Sequence, residues 1–140
     1  MTPAEQSRRA VAAVARLLRR RGLRVATQPH AGGLFVYLGG RCLDVQVRVA
    51  SLHVRRHHVT WRGRRYSYLR RFWHWNLHRH GRRVVADVWA LCFAGQPASR
   101  ALVVPSLEAL SVSLLDAKHR RSWLWRQRGA WACVDERRAA

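Results

Sequence analysis

The run Asp44-Val45-Gln46-Val47-Arg48-Val49 alternates polar and apolar residues without a break. Successive side chains of an extended strand point to opposite faces. Asp44, Gln46 and Arg48 therefore share one face, and Val45, Val47 and Val49 the other. Two placements satisfy this pattern. One is an edge or half-exposed strand with a solvated polar face; the other is a polar track laid across an otherwise apolar sheet.

The flanking sequence supplies the partners such a strand needs. Val11, Val14, Ala15 and Leu18 recur at helical spacing, predicting a helix from about Pro3 to Arg21. Pro3 suits its first turn, Glu5 its positive end and Gly22 its C-terminal cap. Leu23 to Thr27 reads as a short strand, Pro29 to Gly33 as a turn, and Leu34 to Leu38 as an apolar strand. The Gly39-Gly40 pair is a tight hairpin signal, which makes Arg41 to Ala50 the partner strand. Further on, Val84 to Phe93 reads as a buried strand containing Asp87. An unpaired carboxylate there is costly, so Asp87 is expected to meet an arginine or to face a cleft. Ala101 to Val104 is a further short strand, Ser106 to Leu110 a brief capped helix, and Val112 to Leu115 fits either type. Neither period is clean between Ser51 and Arg83, where a strand or a helix is expected within Tyr66 to Leu77.

With 140 residues, the chain reads as a single domain, its core within about residues 3–115 and a basic Trp/Arg-rich tail over about 118–140 that docks back on it. The charge is lopsided: 27 Lys+Arg against 7 Asp+Glu, a formal net charge of +20. A GC-rich genome explains arginine in place of lysine but not the scarcity of acids. A polyanionic partner relieves the self-repulsion, and nucleic acid fits best because neutralised phosphates release counterions. A basic protein-interaction surface or a structural role in a ribonucleoprotein is the competing reading.

The basic centre, His53 to Arg83, is the expected contact surface. Arg55, Arg56, Arg62, Arg64, Arg65, Arg70, Arg71, Arg79, Arg82 and Arg83 supply forked donors for phosphate oxygens. Trp61 and Tyr66 head the aromatics able to stack on bases, with Tyr68, Trp73 and Trp75 beside them; core packing is the alternative for each, Trp73 and Trp75 above all. His74 and His78, like His53 and His57, stand four apart as zinc ligands on a helix do, but without a cysteine pair or a glutamate between them. Protonatable histidines beside phosphates are the simpler expectation. Cys42, Cys92 and Cys133 are isolated, and buried free thiols in a reducing cytosol follow. No apolar run is long enough for a membrane span, so a cytoplasmic protein with no membrane partner is expected.

The order of helix, strand, Gly-Gly hairpin and Val-Gln-Val-Arg strand resembles the PD-(D/E)XK nuclease superfamily, the restriction-endonuclease-like α/β fold. Within it, the similarity is closest to small intron-type or resolvase-type members. The segments Val84 to Phe93 and Ala101 to Pro105 add to the likeness, which covers about residues 3–115. It implies an N-terminal helix, a central mixed β-sheet and flanking short helices. It also implies Mg²⁺-dependent phosphodiester cleavage, with DNA ahead of RNA as partner and a homodimer allowed.

Carried over by position, Gln46 matches the acid-or-Gln site, Arg48 the lysine and Glu5 the acid of the first helix. Asp44, Gln46 and Arg48 are thus the candidate catalytic residues, and Asp44, Gln46, Glu5 and Asp87 the candidate metal ligands. No acid lies between Arg24 and Leu43, where the resemblance requires the first metal-binding Asp. Arg48 stays protonated and cannot act as a base. Binding with reduced or absent cleavage is therefore expected; an active Mg²⁺-dependent endonuclease is the alternative.

Overall fold

The computed structural model describes residues 1–28, 32–79, 81–105, 114–117 and 126–134. Helix α1 (Pro3–Arg20) begins on a capping box: the Thr2 hydroxyl accepts from the Glu5 N–H at 3.2 Å, and the Glu5 carboxylate accepts from the Thr2 N–H at 2.8 Å. Val11, Val14, Ala15 and Leu18 form its buried stripe.

Strands β1 (Arg24–Gln28), β2 (Gly33–Leu38) and β3 (Arg41–Ala50) follow as an antiparallel meander. The chain then leaves this sheet for β4 (Leu52–Trp61), β5 (Arg64–Asn76), β6 (His78–Arg79) and β7 (Arg82–Arg83). It returns as β8 (Val88–Phe93), parallel to β3, and after a 3-10 turn (Ala98–Arg100) adds β9 (Leu102–Pro105) antiparallel to β8. The central sheet runs β1-β2-β3-β8-β9. A second sheet runs β10-β5-β4, with β10 at Leu114–Ala117, and β6 pairs with β7. Mixed α/β, a central sheet and an N-terminal helix are as the sequence implied.

The central sheet is covered on both faces. On one, Val45, Val47, Leu34 and Val36 pack against α1, joined by Trp131 and Val134 from the C-terminal segment. The Trp131 indole N–H donates to the Ala98 carbonyl at 3.4 Å, so the described part of the tail, residues 126–134, packs against the sheet. On the other face Trp75 and Leu77 cover Trp89, Leu91 and Phe93. Every residue of β8 is buried, and a strand covered on both faces reads as a continuous apolar run.

Several boundaries differ from the sequence reading. The strand expected from Val84 starts only at Val88, because Val85 is 71% exposed and the backbone bends at Asp87. The region without clean periodicity is a long antiparallel hairpin, with Leu52 to Trp61 paired to Trp73 to Arg64. Its two-residue turn is Arg62-Gly63, with φ of 48° and 73°, the left-handed pair that matches hairpin twist. Nearly all of it is exposed on both faces, so no buried face imposes alternation. Cys42 is exposed, not buried; all the cysteines are free thiols. The helix expected at Ser106 to Leu110, and Trp123 and Trp125, lie outside the described residues. No described helix is long and apolar enough to cross a membrane.

Trp75 and Trp61 offer a direct contrast. Trp75 is wholly buried and donates its indole N–H to the Cys92 carbonyl at 2.8 Å, whereas Trp61 is 62% exposed. Trp75→Ala should lower unfolding free energy by about 3–5 kcal/mol, and Trp61→Ala by no more than about 0.5 kcal/mol, both read from urea denaturation.

Candidate functional site

The alternating strand is β3, at the centre of the sheet, and its polar face is a track rather than a solvated edge. Gln46 is only 7% exposed. Across the ladder from it stands Gly33, where a Cβ would come within 2.5 Å of the Gln46 amide nitrogen. Glycine at this position makes room for a buried polar side chain.

The track is hydrogen-bonded end to end. The Gln46 amide donates to Asp44 Oδ1 at 3.1 Å, and Arg48 Nη1 donates to Gln46 Oε1 at 3.3 Å. The same nitrogen reaches the carbonyls of Val47 at 2.9 Å and Gly32 at 3.4 Å, while Arg48 Nε donates to the Asn76 carbonyl at 3.1 Å. The guanidinium lies over the Trp89 ring, 5.2 Å from its centroid. Arg48 thus ties the sheet, the loop before β2 and the end of β5 together.

Asp87 joins the track from the bend ahead of β8, not from within a strand. It is exposed, and its Oδ2 accepts from the Asp44 N–H at 2.8 Å while its own N–H donates to the Asp44 carbonyl at 3.0 Å. Its partner is thus the Asp44 backbone instead of the arginine expected. Burial pushes the Asp44 carboxyl above its usual range; the bond from Gln46 opposes this, the neighbouring Asp87 adds to it, and Arg48 opposes it. Two of the few acids in a strongly basic chain therefore stand side by side.

Asp44 and Asp87 bring two carboxylates to this end of the track, a donor set of the kind a partly hydrated Mg²⁺ uses alongside water and phosphate oxygens. Gln46 turns its amide nitrogen, not its oxygen, toward Asp44. Glu5 is not brought to the site: its carboxylate closes the capping box of α1, which packs on the opposite face of the sheet. No group of three or more His, Cys, Asp or Glu able to hold a metal occurs among the described residues. The zinc spacing likewise fails on structure. His53 and His57 lie on strand β4, where four residues span about 13 Å, and His74 and His78 fall on two different strands, β5 and β6.

The basic residues converge on the hairpin. Arg55, Arg56, Arg64, Arg65, Arg70, Arg71, Trp61 and Tyr66 sit on β4 and β5, with Arg62 at the tip. Arg79, Arg82 and Arg83 go to the small β6-β7 hairpin. Cross-strand pairing puts Arg55, Arg64, Arg70, Tyr66, Tyr68 and Trp61 on one face, and Arg56, Arg65 and Arg71 on the other. Tyr66 and Tyr68 are each 49% exposed. Arg70 and Arg55 stack over Phe72, and Arg62 over Trp61, which holds guanidinium planes without neutralising them. No acid occurs in the sequence between Asp44 and Asp87, so the whole ribbon is cationic. Trp73 and Trp75 belong to the ribbon's base and pack on Phe93. Sequence reasoning missed Gly33 and Trp89, whose roles depend on strand register.

A central mixed sheet, one helix packed on it and a projecting ribbon make up the fold. The structure aligns with that of a bacterial homing endonuclease, I-Ssp6803I, at a TM-score of 0.64 over 96% of this chain and 91% of that one, with 16% sequence identity. No protein-family model matches the chain, and no curated protein matches it.

The raised Asp44 pKa makes the stability of the fold depend on pH. A folded-state pKa above the unfolded value favours the fold while the group is protonated, and this contribution is lost as pH rises through the folded value. Asp44→Asn, which keeps an oxygen for the Gln46 amide, should therefore be at least as stable as the parent at pH 7. Any advantage should shrink as pH falls through the raised folded-state value and be gone below about 4, where Asp44 is protonated in both states. Urea midpoints across pH, without divalent ions, measure it.

Proposed function

We propose that this chain is a nucleic-acid-binding protein with a PD-(D/E)XK-like fold, seating a phosphate backbone against its arginine-rich ribbon. The observation that carries this reading is the β4-β5 ribbon, cationic on both faces, exposed along most of its length and free of acids. At about 3.4 Å per residue it extends for about 30 Å. The major groove of B-DNA admits a two-stranded ribbon, whereas that of A-form RNA is too narrow for side chains to read; this favours DNA over RNA. Arginines make forked bonds to phosphates, and Trp61, Tyr66 and Tyr68 offer stacking surfaces wherever bases are unpaired.

Reduced or absent cleavage is the reading favoured at the track. Arg48 keeps its proton and spends its donors on Gln46 and three backbone carbonyls, which makes it a brace and not a base. One observation favours the alternative, Mg²⁺-dependent hydrolysis: the Asp44 and Asp87 carboxylates stand adjacent, with only the charge of Arg48 acting on Asp44 among the described arginines. Bound there, Mg²⁺ would supply charge stabilisation at a phosphate. The chain's own residues would hold that ion through Asp44 and Asp87 and keep Asp44 oriented through Gln46.

Two measurements separate these readings. Arg62→Gln/Arg64→Gln/Arg65→Gln should weaken duplex binding and reduce the log–log salt slope by about 2.7, at about 0.9 per lost phosphate contact. An unchanged slope would remove the ribbon from the interface. Supercoiled plasmid incubated with the protein should stay intact in Mg²⁺. Nicking that chelator abolishes and Asp44→Ala removes would establish the hydrolytic reading instead.

A further inference from the structure

We propose that a second anion-binding groove runs along α1, on the helix side of the sheet, and takes the phosphodiester backbone of a second nucleic-acid segment. The groove is argued from residues the ribbon does not use, while its taking a second segment rests on the ribbon reading. Two cavities flank α1: one of about 320 Å³ against Phe93 to Gln96, and one of about 560 Å³ against Pro97 to Ser99, Gly129 and Trp131. They share Ala13, Arg16 and Ala98 in their walls, so they form one furrow.

The floor of this furrow is a helical stripe. Arg9, Ala13, Arg16 and Arg20 stand at i, i+4, i+7 and i+11, which puts them on one side of α1. Arg9, Arg16 and Arg20 are exposed, and no acid lines either cavity among the described residues. Small side chains at Ala13 and Ala98 keep the furrow open, and the far wall is fixed: Gly129 N–H donates to the Ala101 carbonyl at 2.8 Å and Trp131 to the Ala98 carbonyl. From Arg9 to Arg20 the stripe covers about 16 Å of helix axis. That length matches the rise of about five nucleotides of one strand.

Cationic side chains repeated along a groove suit a ligand with repeated anionic charge. Because α1 packs on the face opposite the Asp44 track, a ligand in the furrow and one on the ribbon do not compete for the same residues. The molecule would therefore hold two segments at once.

The test uses the full chain on an immobilised duplex, washed and then offered a fluorescent duplex. Three proteins are compared: the parent, Arg9→Gln/Arg16→Gln/Arg20→Gln, which retains helix-forming side chains, and the ribbon triple variant above. The parent should capture the second duplex. The α1 triple variant should keep its hold on the first within about threefold and lose capture of the second by about tenfold or more. Second-duplex capture that survives the α1 substitutions, as bridging by the ribbons of a dimer would, overturns the proposal. So does a parent that captures no second duplex, or one that takes polyglutamate there in an α1-dependent way while refusing duplex. A ribbon variant that binds as tightly as the parent, beside a defective α1 variant, leaves the groove standing and removes the ribbon reading.

Discussion

Strand β3 must satisfy two environments at once, and the rest of the structure follows from how it does so. Val45 and Val47 are buried under α1, while Asp44, Gln46 and Arg48 lie on the other face beside a second apolar cluster. Polar groups so close to a core are stable only when bonded, and here each is. Asp44 accepts from Gln46, Gln46 from Arg48, and Arg48 finds three backbone carbonyls and an indole face. Because one of those carbonyls belongs to Asn76 at the end of β5, the same network anchors the base of the ribbon to the sheet.

The elements buried on one face were legible in the sequence, since burial is what writes a period into a chain. The α1 stripe, the Gly39-Gly40 hairpin and β3 all follow from apolar spacing and turn chemistry. The ribbon was not legible for the converse reason. With Leu52, Val54, Val59 and Leu69 exposed among arginines, neither face of β4-β5 is selected for apolar residues. The short signal there, Gly63 after Arg62, is one glycine in a charged run. Asp87 was misplaced because Val84 and Val85 look like strand residues, although Val85 points to solvent and the bend at Asp87 brings its carboxylate to Asp44. The resemblance that tied Glu5 to the track concerned position along the helix; in this chain that carboxylate caps the helix instead.

Charge is distributed by sign as well as by amount. The uninterrupted run without acids from Val45 to Ala86 contains the ribbon, while Asp44 and Asp87, its two boundaries, are brought together by the parallel pairing of β3 with β8. A sheet topology that closes a long excursion thus sets an acidic pair at the foot of a cationic ribbon. Burial raises the Asp44 pKa, and the Gln46 hydrogen bond and the Arg48 charge oppose it.

The central claim, that the ribbon seats a nucleic-acid backbone, is tested most directly by the affinity of the full chain for a duplex over a salt series in chelator. A log–log slope steeper than about −5, with retention at about 0.1 M salt, is the expected result. Affinity that ignores salt, or no retention at that ionic strength, would contradict it.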